Sequence, residues 1–361
     1  MSDAAVELKT SPHLRGAHSV DKIMRHVVYA LLPICLFSVY QFGLSALALI
    51  LCCTAVCVGT EDLCCRLSHR PTTVGDWSAV ITGVLLALIL PPSFPLWMAA
   101  VASFVSIAVG KVFFGGLGFN VFNPALVGRA FAQAAFTVPI TTWTPAMVSV
   151  RFHQLIPTTL TPPFAIPPDL RPWMAQLQID GFTGATPLAL MKFDHIDTDA
   201  AELFVGTVAG SAGETSSLLI LMCGCYLAFR KMLNWKIVAS VLGSAALFSW
   251  VFWVKDPSLY PTPLFTITSG GLMIGAVFMA TDMVSSPVTP LGVVLYGALI
   301  GVVTVMIRLF GGLNEGVMYA ILLANAATPL LNNLTQPRIY GAQRRRPRLR
   351  NPKPKPGEAK A

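Results

Sequence analysis

Charge is scarce in this chain. Only 12% of its 361 residues are Asp, Glu, Lys or Arg, against roughly 25% in a soluble domain, while 54% are hydrophobic. That balance argues against an ordinary soluble protein and predicts a helical membrane protein. Several enzyme signatures are also missing. There is no Walker A loop, no dinucleotide fingerprint after a strand, no HExxH and no GxSxG. The Gly-rich stretches read instead as apolar helix interfaces, which argues against nucleotide binding by those folds. No nucleophile–base pair stands out, so redox chemistry would need a supplied cofactor.

The eight cysteines are Cys35, Cys52, Cys53, Cys57, Cys64, Cys65, Cys223 and Cys225. None has zinc-type or cluster-type spacing, and Cys223-Gly-Cys225 is one residue short of a CxxC. They read as small apolar residues of the spans. The net charge of +8 does not indicate nucleic acid. Nine of the 25 Lys and Arg residues lie between Arg338 and Lys360, in a Pro-rich tail that reads as disordered. Such a tail acts as an orientation signal and contacts anionic membrane lipids. Residues 1–22 are polar and lack a short apolar segment with a small-residue cleavage site. The first span is therefore expected to direct insertion itself.

Apolar runs long enough for a span, about 20 residues, recur ten times. The first five are expected at 23–43, 44–63, 77–92, 96–114 and 124–142. The second five are expected at 216–233, 235–254, 264–281, 291–310 and 317–334. Basic residues cluster before the first span (Lys9, Arg15, Lys22, Arg25), after the second (Arg66, Arg70), between the sixth and seventh (Arg230, Lys231, Lys236) and after the tenth. The positive-inside rule then makes both termini cytoplasmic. "KVFFGGLGFNVFNPALVGRA" (Lys111–Ala130) aligns with "IRLFGGLNEGVMYAILLANA" (Ile307–Ala326). Chance similarity in an apolar chain competes with a true repeat. A repeat of five spans would invert the second half in the membrane.

The expected fold is thus all-α and polytopic, with about ten transmembrane helices as two inverted five-helix repeats. The parts are a cytoplasmic N-terminal segment (1–22), a first membrane repeat (23–142), a periplasmic insertion (143–215), a second repeat (216–334) and a basic cytoplasmic tail (335–361).

Two intramembrane charges are candidates for function. Arg129 in "FNPALVGRAF" would pair with an anion, influence charge movement, or bond to backbone carbonyls. Asp282, after "SGGLMIGAVFMAT", is either a carboxylate of a cation path or an interfacial cap for the next turn. Ser269, Gly270 and Gly271 interrupt that eighth span, for close packing or for a discontinuous helix. Asp76 and Ser78 suit a helix N-cap. Thr82 and Gly83 suit helix packing.

The insertion contains "QIDGFTGATPLALMKFD" (Gln178–Asp194). Thr186 before Pro187 fits an ordinary turn. The stretch also resembles the attachment motif of membrane flavoproteins. In these an acid stands six residues before the acceptor (Asp180), Ser or Thr three before (Thr183), and Gly-Ala (Gly184, Ala185) leads into it. With "SPHLRG", "FNPALVGRAF" and "SGGLMIGAVFMATDMVSSPVTPLG", residues 11–337 resemble the D-subunit family of the Rnf electron-transport complex. The B subunit of the sodium-pumping NADH:quinone oxidoreductase is similar but usually has a longer N-terminal extension.

The resemblance implies FMN esterified through its phosphate to Thr186, installed from FAD by a dedicated flavin transferase outside the bacterial inner membrane. Asp180, Gly181, Thr183, Gly184 and Ala185 would form the transferase's recognition motif, and the glycines permit an exposed, flexible backbone. It further implies a relay step between reduced ferredoxin and NAD, coupled to sodium or proton movement. Partners would be the other Rnf subunits, including a second covalent-flavin subunit and small membrane subunits, with a noncovalent riboflavin between the helices as a further cofactor. The competing function is an inverted-repeat transporter or channel without a redox cofactor.

Overall fold

The computed structural model describes residues 19–177, 185–194, 198–206, 208–214, 216–257 and 259–337. Among them there is no strand. The helices are α1 (Val20–Phe42), α2 (Leu44–Leu67), α3 (Ser78–Ile89), α4 (Leu96–Ile107), α5 (Pro124–Ala135), α6 (Thr137–Thr141), α7 (Arg171–Gln176), α8 (Pro187–Ala189), α9 (Ala200–Val205), α10 (Ser217–Phe229), α11 (Trp235–Lys255), α12 (Pro263–Thr268), α13 (Leu272–Ile274), α14 (Pro290–Phe310) and α15 (Val317–Leu334).

Five helices, α1, α2, α11, α14 and α15, are long and apolar enough to cross a membrane. The other expected spans coincide with shorter or interrupted helices. α3 has 12 residues, about 18 Å at 1.5 Å per residue, against a hydrocarbon core of about 30 Å. Its continuation, Leu90–Pro95, is extended or turning but buried. Irregular backbone of this kind is tolerated at membrane depth only inside protein.

Local sequence explains each interruption. Leu90 precedes Pro91 and is extended, with ψ 153°, because the proline ring disfavours helical backbone before it. The expected fifth span splits at Phe136 into α5 and α6. Pro139 lacks the N–H that would continue the helical ladder there. The eighth breaks at Ser269–Gly271, where Gly270 has φ +63°. A side chain at Gly270 would be strained in that conformation and would run into Leu188. α4 and α13 each continue into a π-helical turn, at Ala108–Val112 and Gly275–Met279.

The interrupted segments form the centre. Leu85–Leu90 and Leu272–Ala280 are buried in one apolar cluster. Around them α11 lies against α14. A Cβ at Gly297 would stand 2.6 Å from Ser240 Cβ, and one at Gly301 would overlap the Ser244 hydroxyl. This small-xxx-small pair lets the backbones approach, as in helix packing within lipid.

The connections gather at two ends. At one, Leu44 N donates to Arg151 O, Leu96 N to Thr159 O, and Lys192 Nζ to the carbonyls of Gly311 and Leu313. At the other, Lys111 reaches Glu61 and Ser78, and Asn123 Nδ2 donates to Met279 O. Part of the segment 143–215 does not stay at the periphery. Ala212 N donates to Leu90 O (3.1 Å) and Gly213 N to Leu88 O (2.7 Å), which sets Glu214 beside the C-terminal end of α3.

Candidate functional site

Thr186 opens α8. It is extended (ψ 160°), as a residue before proline should be, and its Oγ1 accepts from Ala189 N at 3.3 Å. Capping uses one lone pair of the hydroxyl and leaves its O–H free. The turn is docked on both sides. Met191, Leu203 and Phe265 form a small apolar cluster with Leu188 and Val208 packed against it. Lys192 fixes the segment to the Phe310–Leu313 connection through the Gly311 and Leu313 carbonyls. Burial lowers the Lys192 pKa from its ordinary value. Ala185 and Thr186 are half-buried. Asp180, Gly181, Thr183 and Gly184 lie outside the described residues.

Thr186 lines a cavity of ≈ 370 Å³ whose wall also carries Arg129, Ser211, Glu214, Gly270 and Glu315. Arg129 Nη1 donates to Ile89 O and lies 3.4 Å from Glu214 Oε1, and its Nη2 lies 3.0 Å from Glu315 Oε2. All three side chains are largely buried. Glu315 also accepts from Gly271 N at the break after α12. Arg308, at the end of α14, donates to Thr266 O (2.7 Å) and Ser269 O (3.0 Å). Burial, and after it the Glu315 carboxylate, pushes the Glu214 carboxyl up to about 8, against the opposing pull of Arg129.

Asp282 is not part of this site. Its Oδ2 accepts from Ser285 Oγ at 3.0 Å and its Oδ1 from Val284 N at 3.4 Å. It lines a smaller cavity, ≈ 90 Å³, at the opposite end with Ser78, Lys111, Asn120 and Asn123. There Lys111 Nζ pairs with Glu61 Oε1 at 2.6 Å, and both side chains are almost wholly buried. Asn123 caps α5 by accepting from Ala125 N at 3.0 Å. Asp76 Oδ1 accepts from Ser78 N at 2.9 Å.

Sequence reasoning singled out Arg129 and missed Glu61, Lys111, Arg308, Glu214 and Glu315. Three of these had the same signal as Arg129: Glu61, Lys111 and Arg308 fall within expected spans, where a charge is costly and needs a partner. Glu214 and Glu315 fall in connections, where an acid is ordinary. Only folding brings them to the guanidinium.

The cavity thus joins a capped hydroxyl to a buried guanidinium, in a bundle whose sequence carries the motifs of one membrane family. A family model described as "NQR2, RnfD, RnfE family" matches residues 7–341. The chain belongs to this family. It is 41% identical over 345 residues to the D subunit of the Na(+)-translocating ferredoxin:NAD(+) oxidoreductase complex of Acetobacterium woodii, covering 94% of this chain and 97% of that one. It is 38% identical over 347 residues to the D subunit of the proton-translocating ferredoxin:NAD(+) oxidoreductase complex of Clostridium ljungdahlii, covering 93% and 96%. The D subunit of the ion-translocating oxidoreductase complex of Alcanivorax borkumensis is 36% identical over 341 residues, covering 92% and 96%. NQR2/RnfD/RnfE membership thus extends over nearly the whole chain, and its homologues are subunits of an ion-translocating oxidoreductase. One of the first two relatives is named for sodium and the other for protons, so family membership leaves the coupling ion open.

Proposed function

We propose that this chain is the D-type membrane subunit of an ion-translocating ferredoxin:NAD oxidoreductase and relays electrons through FMN bound by a phosphoester to Thr186. The observation that carries this is the position of Thr186. The threonine of an Asp-Gly-Phe-Thr-Gly-Ala-Thr stretch stands on the wall of a cavity whose other wall is a buried Arg129.

The residues present fit the group. The cavity volume lies within the roughly 300–1,000 Å³ of small-molecule sites. Its wall carries the Arg129 guanidinium and the Ser211 hydroxyl, a donor set suited to an anionic, polar ligand. When bound, FMN would supply one-electron and two-electron chemistry. Thr186 would hold it, the α8 turn and Lys192 would fix where it is held, and Arg129 would offset negative charge. Tethering removes the cost of recapturing the flavin from solution.

A ten-span arrangement fits the same reading. Each expected span overlaps a helix or an interrupted helix. Lys111, just before the first Phe-Gly-Gly-Leu, pairs with Glu61, whereas Gly311 and Leu313 of the second accept from Lys192 near Thr186, a separation that an inverted repeat would produce. With both termini cytoplasmic, Thr186 faces the periplasm, where a flavin transferase and a second covalent-flavin subunit would meet it. At the opposite end, Asn120, Asn123 and Asp282 offer polar groups to a noncovalent riboflavin. The ≈ 90 Å³ there falls short of a typical ligand site, so no residue is assigned to it.

The test is a denaturing gel viewed under ultraviolet light, on protein co-expressed with its transferase. The wild-type band fluoresces and the Thr186→Ala band does not. A dark wild-type band removes the basis of the proposal.

A further inference from the structure

We propose that Glu214 is a redox-linked proton site, taking up one proton when an electron enters the cavity beside Thr186 and releasing it when the electron leaves. The inference rests on the reading that Thr186 carries the flavin. It adds a residue that neither the attachment motif nor the family names assign.

Charge balance in the cavity wall is the first reason. Three ionisable side chains line it, Arg129 from α5, Glu315 from the connection before α15 and Glu214 from the connection before α10, and Arg308 from α14 lies behind them within electrostatic reach of both carboxylates. The break between α12 and α13 contributes only backbone and the small residues Ser269, Gly270 and Gly271. The end of α3 contributes apolar side chains and the Ile89 carbonyl. With all four ionised, the set is neutral. One added electron makes it net negative in a buried, poorly screened place. A proton taken up within the set restores neutrality.

The second reason singles out the carboxyl. Glu315 is held by Arg129 at 3.0 Å and by Gly271 N. Arg308 is committed to the carbonyls of Thr266 and Ser269. Glu214 has a longer contact to Arg129, 3.4 Å, so it is the carboxylate more easily neutralised. It is also fixed in place. Backbone bonds from Ala212 and Gly213 pin its connection to α3, and a side chain at Gly213 would overlap Leu88. Beside it the buried Ser211 hydroxyl, which interacts with the Glu214 carboxyl, lies on the cavity wall, placed to pass a proton between Glu214 and water in the cavity.

Burial and the Glu315 carboxylate raise the Glu214 pKa to about 8, so the uptake is read at about pH 9, where the oxidised protein holds the carboxylate and an added negative charge converts it to the acid. The step balances. One electron arrives from a reduced iron–sulfur carrier of the ferredoxin class, and one proton from water joins the Glu214 carboxylate to give the acid. On reoxidation the electron passes to an oxidised flavin carrier of a neighbouring subunit, and the Glu214 O–H bond breaks, returning the proton to water.

The test is reduced-minus-oxidised infrared difference spectroscopy on the whole complex, with flavin content read by gel fluorescence from the same samples. Wild-type protein shows a band in the carbonyl-stretch region of protonated carboxyls that shifts in D2O. Glu214→Gln, with flavin still attached, loses it. Glu214→Asp keeps it at a shifted frequency, which covers the case in which the glutamine variant fails to assemble. Flavin present with no such band, or an unchanged band in Glu214→Gln, overturns the inference alone. Wild-type protein without flavin on Thr186 overturns the cofactor reading and this inference with it.

Discussion

Arg129 on α5 and Glu315 before α15 form an ion pair, Nη2 to Oε2 at 3.0 Å, across 186 positions of chain. The pair ties the two expected halves together at the Thr186 cavity. The guanidinium also reaches Ile89 O and Glu214, so one side chain joins α3, α5 and two connections.

Arg129→Met leaves two buried carboxyls without their main partner. Breaking a buried pair from one side costs about 3–5 kcal/mol. Arg129→Lys recovers only part, because an ammonium is a compact charge without the planar fork that reaches three acceptors. Thermal unfolding in detergent checks the order: wild type above lysine, lysine above methionine.

Glu214 gives stability a pH dependence. Its folded pKa is raised from 4.5 to about 8, so between these values the unfolded chain loses a proton that the folded chain keeps. Stability from this group is fully present below about pH 4.5 and declines as pH rises to about 8. Glu214→Gln removes that decline. Melting temperatures of the two proteins between pH 5 and pH 8 should converge or cross, and parallel curves would contradict the assignment.

At the opposite end, Lys111 and Glu61 are buried together at 2.6 Å. Lys111→Met alone strands Glu61 and costs about 3–5 kcal/mol. The double variant Lys111→Met with Glu61→Leu removes both charges and recovers most of the loss. A double-mutant cycle on thermal stability measures the difference. Equal losses in single and double variants would mean that packing, not charge, holds this corner.

Gly301 packs against Val241 O and Ser244 of α11. Gly301→Leu forces the two helices apart and costs about 1–3 kcal/mol as overpacking. Gly312 has open space where a Cβ would go, so Gly312→Ala is the control and should change the melting temperature little.

Much of the architecture is legible in the sequence because lipid allows few choices. Apolar runs had to be helices, and every expected span coincides with helical structure, although only five are long helices. Pro91, Pro139 and Gly270 mark the interruptions, and each has a local backbone reason. The proposed site was legible in part. Thr186 stands out through its neighbours in sequence, and Arg129 through its position in an apolar span. Glu214 was not, because its burial follows from Ala212 and Gly213 pairing with Leu90 and Leu88, a contact between distant segments with no periodic signature.

The central claim is the covalent flavin on Thr186, and peptide mass spectrometry tests it most directly. Protein co-expressed with its flavin transferase is digested and the peptide containing Thr186 is isolated. The account predicts an added mass of one FMN less one water, with fragmentation placing it on Thr186 and not on Thr183. An unmodified peptide, or a flavin placed on any other residue, would contradict it.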